Sequence, residues 1–150
     1  FTNIHSSGGG DDYWFGFQAS TDSGSNYNTT VTSNIYAAYN AEGGGLHRTF
    51  SFRQQSTFSL GQETGLQRLC YQHADDNQIA ASGILHIFDP SSTTFMKHFI
   101  GRGQTEGNTN YAHTLDVGGY FNTTSAIDAV QFKMNSGNMD AGTITLYGIN

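Results

Sequence analysis

Apolar residues recur at every second position in several stretches of this chain, and that rhythm limits its possible folds more than any other feature. In residues 13–20, Phe15, Phe17 and Ala19 lie on one side, and residues 142–149 alternate strictly. Successive side chains of a β-strand point to opposite faces, so a period of two is typical of strands with one buried face. We find no three-to-four-residue apolar stripe of the kind that marks an amphipathic helix. The pattern therefore predicts an all-β chain.

The composition favours the same fold class. Only 12% of the 150 residues are charged, whereas 13% are aromatic. Exposed helix faces are usually filled with Glu, Lys, Arg and Ala, because these residues lose little side-chain freedom there. Turn signals rich in Gly, Asn, Ser and Asp separate about eight short strands. We predict one domain over residues 1–150, a jelly-roll-like antiparallel β-sandwich.

The first half of the chain yields two clear strands and an ambiguous region. After residues 13–20 and a dense turn signal, the apolar pattern predicts a strand over residues 30–40. Shorter candidate strands follow at residues 49–52, 57–60 and 67–71.

The second half opens with a predicted hairpin. An apolar run over residues 84–88 stops at an Asp-Pro-Ser-Ser turn, and a strand resumes over residues 93–100. Asp and Pro are favoured at the first positions of such turns, so a loop of about four residues is expected. The next ten residues, 101–110, are predicted to form a flexible polar loop.

Two further strands complete the prediction. Adjacent glycines at Gly118 and Gly119 lie inside a strand over residues 111–122 and predict a bulge or a sharp bend. A strand over residues 127–134 precedes a turn rich in glycine and asparagine. The final strand is then predicted to turn Ile144 and Leu146 toward the core.

Charge and hydropathy argue against several partners. The chain has six Lys and Arg against twelve Asp and Glu, a formal net charge of −6. Nucleic acid is not an expected partner, because binding the phosphate backbone requires clustered positive charge. No stretch approaches the roughly 18 apolar residues that cross a bilayer, so no membrane partner is expected either.

No catalytic residue, metal ligand or cofactor is predicted. The single cysteine, Cys70, is expected to be a buried or unreactive thiol. His86 and His98 lie on the two arms of the predicted hairpin and are candidates to face each other, but a metal site would need a third ligand. Acidic loops at residues 11–12 and 75–77 match no known calcium-loop spacing and are interpreted as solvated turns. The chain has no Gly-x-Ser-x-Gly elbow.

Aromatic residues provide the only candidate binding positions. Tyr and Trp offer a large contact area at a low entropic cost, which suits protein interfaces and sugar-binding sites. Covering the faces of the sandwich is the alternative role for the same side chains. The candidates are Tyr13, Trp14, Tyr27, Tyr36 and Tyr39.

Several segments resemble one family of viral proteins. They are residues 88–95, residues 119–127 and the ending Ser-Gly-Asn-x-x-x-Gly-Thr-Ile-x-Leu-Tyr-Gly-Ile at residues 136–149. These segments resemble structural virion proteins of marine tailed bacteriophages, of the capsid-decoration, head-fibre or tail-fibre type. The likeness extends over nearly the whole chain, except residues 42–77. The shared ending describes a turn and a terminal strand and contains no catalytic signature.

The resemblance implies a non-enzymatic role on the surface of a phage particle. A capsid decoration (cement) or head-fibre protein is the first expectation, with the major capsid protein or other virion proteins as partners. A homo-oligomer, and specifically a trimer, is also expected. The alternative is a tail-fibre receptor-binding module that contacts glycans on the host surface.

Overall fold

The computed structural model describes residues 1–8, 13–43, 48–52 (main chain only), 58–71, 78–107 and 110–149. Within these ranges every regular element is a β-strand, and the strands form antiparallel sheets that pack against each other. The chain is an antiparallel β-sandwich, as its alternating sequence predicts. In chain order the strands are β1 (Thr2–Ser6), β2 (Phe15–Ser20), β3 (Val31–Ala41), β4 (Arg48–Phe52), β5 (Gly61–Glu63), β6 (Gln67–Arg68), β7 (Ser82–Ile87), β8 (Lys97–Gly107), β9 (Tyr111–Phe121), β10 (Ala129–Met134) and β11 (Met139–Thr143).

Strands from the beginning of the chain pair with strands from its end in nested order. β1 pairs with β11, β2 with β10 and β3 with β9, all antiparallel. The large sheet has the order β4-β3-β9-β8-β7, with β5 also beside β3, and the small sheet has the order β10-β2-β6. The β1–β11 ribbon meets the large sheet through an antiparallel bridge between Ile4 and Ala81. This nested, rolled arrangement is characteristic of a jelly roll.

Aromatic side chains join the two sheets. Phe17 of the small sheet packs edge-on against Phe99, with ring centroids 5.2 Å apart, and against Phe121 at 6.2 Å. All three side chains are fully buried. Burial of each contributes roughly 1.5–3 kcal/mol to folding, so the inward-facing aromatic residues of β2, β8 and β9 contribute substantially to the core.

Gly103 of β8 lies in close contact with the main chain of Leu69, the residue that follows β6 of the small sheet. A Cβ atom at Gly103 would lie 2.0 Å from the carbonyl oxygen of Leu69 and 2.7 Å from the sulfur of Cys70. Cys70 is fully buried, which confirms the sequence prediction, and burial raises the pKa of its thiol far above the usual range.

The turn after β2 forms where its sequence predicts. The carboxylate of Asp22 accepts hydrogen bonds from the main-chain and side-chain nitrogens of Asn26, at 2.8 and 2.7 Å, and from the hydroxyl of Ser20. These hydrogen bonds, those from Asn26 first, hold the pKa of Asp22 below its usual value. The strands on either side match the predicted ones to within two residues at each end.

The β7–β8 hairpin has a longer loop than its sequence suggested. β7 ends at Ile87 and β8 begins only at Lys97, so residues 93–96 are not part of a strand. The hydroxyl of Ser92 accepts hydrogen bonds from the main-chain N–H groups of Thr94 and Phe95. These local bonds curl residues 92–95 away from strand pairing, and the four-residue loop was therefore a wrong prediction.

The predicted flexible loop over residues 101–110 is also wrong for the residues described there. β8 continues through Gly107 and pairs with β9 along its whole length. Its glycines and charged residues have low β-propensity, but β9 and β7 on either side supply the pairing that propensity does not.

The bulge expected at the adjacent glycines of β9 is absent. The pairing register passes through Gly118 and Gly119 without a shift on both neighbouring strands. A Cβ at Gly119 would lie 2.6 Å from the carbonyl oxygen of Thr32 and 2.7 Å from the ring of Phe99. Gly119 is therefore needed for close packing across a regular sheet.

In the middle of the chain the predictions hold in part. The strand at residues 49–52 is confirmed as β4. Residues 58–60 are not a strand, and the strand at residues 67–71 shrinks to the two residues of β6. The acidic loops at residues 11–12 and 75–77 lie outside the described residues.

The end of the chain departs most from its prediction. β11 stops at Thr143, and residues 144–149 have no regular structure. Ile144 and Leu146 are exposed rather than turned toward the core. The sequence has strand character there, but none of the described strands lies beside it.

Candidate interaction surface

The outer face of the large sheet, which points away from the small sheet, has an unusual number of apolar side chains. Along β8, burial alternates residue by residue over all eleven positions. The odd-numbered residues point inward and the even-numbered ones outward, which places Ile100 on the outer face. Ile84 and Phe88 share this face, and all three are about half exposed.

The register of the hairpin brings these three side chains together. His86 lies directly opposite Ile100, and Ile84 lies opposite Arg102. Phe88 donates its main-chain N–H to the carbonyl of His98 and so extends the same pairing. Ile100 is therefore diagonal to both Ile84 and Phe88, a separation that large side chains bridge.

His86 and His98 are not directly opposite each other. The longer loop moves the pairing by two residues from the register that would place them face to face, and they become diagonal neighbours on the outer face. The imidazole of His98 instead approaches Tyr120 of β9, with ring centroids 6.2 Å apart. In the described part of the chain, no group of three His, Cys, Asp or Glu residues is placed to hold a metal ion.

The loop between β7 and β8 extends the apolar surface. Phe95 and Met96 are both exposed on this loop, and Phe95 retains 71% of its accessible surface. We call Ile84, Phe88, Phe95, Met96 and Ile100 the apolar patch. Large apolar side chains exposed on one hairpin and its loop are typical of interaction sites.

A buried lysine holds this loop in place. Lys97 is only 1% exposed, and its ammonium donates to the carbonyl oxygens of Ser92, Phe95 and Thr123, at 3.0 to 3.2 Å. The main-chain N–H of Ile127 also donates to the carbonyl of Pro90. The loop is thereby fixed to the segment after β9, so Phe95 and Met96 are presented in an ordered conformation. An ordered surface loses less conformational entropy on binding than a flexible one.

The other end of the outer face is polar. An open groove of about 530 Å³ begins four residues farther along β8 than Ile100, about 13 Å away at the usual rise per residue. Amide and carboxylate side chains dominate its walls. The groove is lined by Asn40, Glu42, Ala80, Ser82, Gln104, Thr105, Glu106, Asn110 and Ala112.

The five aromatic candidates from the sequence do not gather in one place. Tyr36 lies on the outer face and is exposed, whereas Tyr39 points inward and stacks on His113, with ring centroids 5.9 Å apart. Tyr27 is half-buried in the segment between β2 and β3. Tyr13 is half-buried and packs against the hydrophobic core.

Trp14 has a different role. The guanidinium of Arg68 lies over its ring at 4.5 Å and over the ring of Phe58 at 3.9 Å. This buried cation between two aromatic rings is a stabilising arrangement. Of the five candidates, only Tyr36 therefore presents its ring on the outer face that bears the apolar patch.

Sequence reasoning missed all five members of the apolar patch. The run over residues 84–88 is apolar on both faces, so the sequence does not show which face meets the other sheet. One signal was available: large apolar residues on both faces of the run mean that one set is exposed when the other is buried against the core.

No helix in the described ranges has the length and hydropathy needed to span a bilayer. Comparison with protein-family models, with curated proteins and with solved structures finds no match to this chain.

Proposed function

We propose that this chain is a non-enzymatic structural protein on the surface of a bacteriophage particle, a capsid decoration (cement) or head-fibre protein. The observation that carries the proposal is the apolar patch, held on a rigid sheet and on a loop anchored by Lys97. The resemblance of the chain's ending to virion proteins of tailed phages supports the same role.

The geometry suits attachment. Ordered aromatic and aliphatic side chains surrounded by polar residues are the usual centre of a protein–protein contact. The two histidines and Arg102 form such a polar surround on the outer face. A capsid shell would cover the apolar patch, and the outer face of the large sheet would lie against it.

Binding to capsids tests the proposal. Capsids of the phage that encodes this chain are stripped of it, incubated with purified protein, and sedimented to measure the bound copies. We expect saturable binding at a fixed number of copies per particle, in the hundreds. The variant Phe95→Ser should bind at least tenfold more weakly, because it removes the most exposed side chain of the apolar patch.

The matched control is Thr94→Ser, an exposed position in the same loop that is outside the apolar patch. It should bind like the unchanged protein. A particle proteome without the chain, or equal binding by the Phe95 and Thr94 variants, would refute the proposal.

The polar groove favours a second candidate function, recognition of a host-surface glycan at the tip of a tail fibre. Sugar hydroxyls hydrogen-bond to amides and carboxylates, and both line the groove beside the outer face that carries Tyr36. This role requires few copies per particle, in the tens or fewer, and binding on a glycan array that is lost in Gln104→Ala. Absence of glycan binding together with hundreds of copies per particle would exclude it.

A further inference from the structure

The centre of the outer face has a gap at Gly118 of β9. β9 lies between β3 and β8 in the large sheet, and its odd-numbered residues from His113 to Val117 are buried, so the even-numbered ones point outward. Gly118 pairs with Asn34 on one side and with Ile100 on the other. A Cβ atom placed there would have, apart from its chain neighbours, a single described contact within 4 Å, the side-chain oxygen of Asn34 at 3.7 Å. The surface above Gly118 is therefore open.

The fold does not require a glycine at this position. Gly118 has no positive φ, so its main-chain conformation is one that other residues adopt. Its register on both neighbouring strands is regular, and the space beside it contrasts with the close contacts at Gly119. A glycine inside a strand contributes no side-chain packing, and it often marks a place where a ligand approaches the sheet closely. A ligand over Gly118 accounts for this residue where internal packing does not.

Polar groups border the gap. The side chain of Asn34 is exposed, and no described residue hydrogen-bonds with its amide. Asp116, the next outward residue of β9, accepts two hydrogen bonds from the guanidinium of Arg102, at 2.6 and 3.1 Å. That pair uses two of the five N–H donors of a guanidinium, and a carboxylate can accept more than two hydrogen bonds. The border therefore offers both donors and acceptors to a ligand.

Apolar surface completes the border. Tyr120 is the next outward residue of β9 in the other direction, and its half-buried ring lies beside the imidazole of His98, with centroids 6.2 Å apart. Ile100 is 51% exposed. Neighbouring strands are about 4.8 Å apart, so the main chains at Asn34 and Ile100, two strands from each other, are separated by about 10 Å. This spacing leaves room for one ring-sized group between an amide and an aliphatic side chain.

Such a border suits an uncharged ligand that is rich in hydroxyl groups. An anionic group would approach the carboxylate of Asp116, and a cationic group would approach the guanidinium of Arg102. A purely apolar group would cover the amide of Asn34 without replacing its hydrogen bonds to water, which is unfavourable. A sugar ring meets both requirements, because its hydroxyls donate and accept hydrogen bonds and its C–H groups pack on aromatic and aliphatic surfaces.

We propose that the gap above Gly118 binds one uncharged sugar residue of a glycan. The hydroxyls bond to Asn34 and Asp116, and the C–H groups contact Tyr120 and Ile100. This site is separate from the polar groove, and the inference goes beyond capsid attachment. Because Ile100 also belongs to the apolar patch, a copy docked through that patch does not hold a sugar.

Nuclear magnetic resonance on the full chain tests the proposal. The isotope-labelled protein is titrated with the methyl glycosides of glucose, galactose, mannose and N-acetylglucosamine. Millimolar concentrations are needed, because a shallow, open site binds a single sugar weakly. We expect at least one glycoside to cause saturable shifts of the main-chain amide of Gly118 and of the side-chain amide of Asn34.

Two variants then locate the sugar. Gly118→Val fills the gap and Asn34→Ala removes the amide, and each should weaken binding by about tenfold or more. Unchanged resonances of the core residues show that each variant is folded. The matched control is Ala38→Val, a similar enlargement at another outward position of β3 that is outside the border. It should bind the glycoside like the unchanged protein.

Absence of saturable shifts at Gly118 with all of these glycosides would overturn the proposal, and so would undiminished binding by Gly118→Val. Shifts confined to Gln104 and Asn110 would also overturn it, because they would place the sugar in the polar groove.

These outcomes are separable from failure of the proposed function. If the chain saturates stripped capsids but binds no glycoside, the structural role stands and the sugar site fails. If it binds a glycoside over Gly118 but never binds capsids, the sugar site stands and the capsid role fails.

Discussion

The inner face of β8 carries Lys97, Phe99 and three glycines, whereas its outer face carries Ile100 beside charged and polar residues. The lysine is the buried residue and the isoleucine is 51% exposed. Position relative to the small sheet, not polarity, decides which residues are buried. Lys97 is tolerated inside because three carbonyls satisfy its ammonium. Ile100 has no such reason for its exposure in the monomer, which is why the outer face is the better candidate for a partner.

Truncating the neighbours Phe99 and Ile100 gives the largest contrast between the two faces. Phe99→Ala should lower the free energy of unfolding by about 3–5 kcal/mol, because it opens a cavity beside Phe17 and Phe121. Ile100→Ala should change it by less than about 0.5 kcal/mol. Urea unfolding of both variants measures the difference. Comparable losses would show that the outer face is part of the folding core.

Replacing the buried lysine tests why it can lie on the inner face. Lys97→Met keeps the apolar stem but leaves the carbonyls of Ser92, Phe95 and Thr123 without their donor. The free energy of unfolding should fall by about 3 kcal/mol. Lys133→Met, on an exposed position of β10, is the matched control and should be nearly neutral. An unchanged urea midpoint for the Lys97 variant would mean that the loop is held by other contacts.

Local alternation was enough to predict the sandwich and the positions of β2, β3, β9 and β10. It was not enough for the β7–β8 loop, where the Ser92 hydroxyl bonds locally to residues 94 and 95 and Lys97 ties the loop to Thr123, a contact distant in sequence. β8 beyond Ile100 was missed because its pairing comes from two neighbouring strands and not from its own composition. Such contributions depend on register, which no single segment encodes.

The candidate surface was less predictable than the fold. A run such as Ile84 to Phe88 has large residues on both faces, and only the packed sheets show which of them are exposed. Tyr36 and Tyr39, three residues apart on β3, necessarily fall on opposite faces, a separation that a list of aromatic residues does not reveal. The C-terminal segment was predicted to be a strand from its alternation, but pairing, which alternation alone does not supply, comes from none of the described strands.

Adjacent glycines of β9 give a smaller contrast between the same two faces. Gly119→Ala should lower the free energy of unfolding by about 1–3 kcal/mol, since the added methyl group would clash with the carbonyl of Thr32 and the ring of Phe99. Gly118→Ala should have an effect within about 0.5 kcal/mol, because the side-chain oxygen of Asn34 is an ordinary 3.7 Å from the added atom. Thermal unfolding of the two single variants measures both. Equal midpoints would argue for a sheet that relaxes easily at this position.

The ion pair on the outer face should give the smallest effect of all. Arg102 donates to the carboxylate of Asp116 through Nε at 2.6 Å and through a terminal nitrogen at 3.1 Å, and both side chains are largely exposed. Solvent screening makes such pairs weak contributors to stability, so Arg102→Ala should leave the thermal midpoint unchanged at physiological salt.

The same variant is informative for binding, because Arg102 lies opposite Ile84 at the border of the apolar patch. If this face docks on a partner, the variant should slow association, and the effect should diminish as salt is added, because charges at the rim of an interface act mainly on the encounter rate. Surface plasmon resonance against stripped capsids measures that rate. A salt-independent loss of affinity would instead place Arg102 inside the contact.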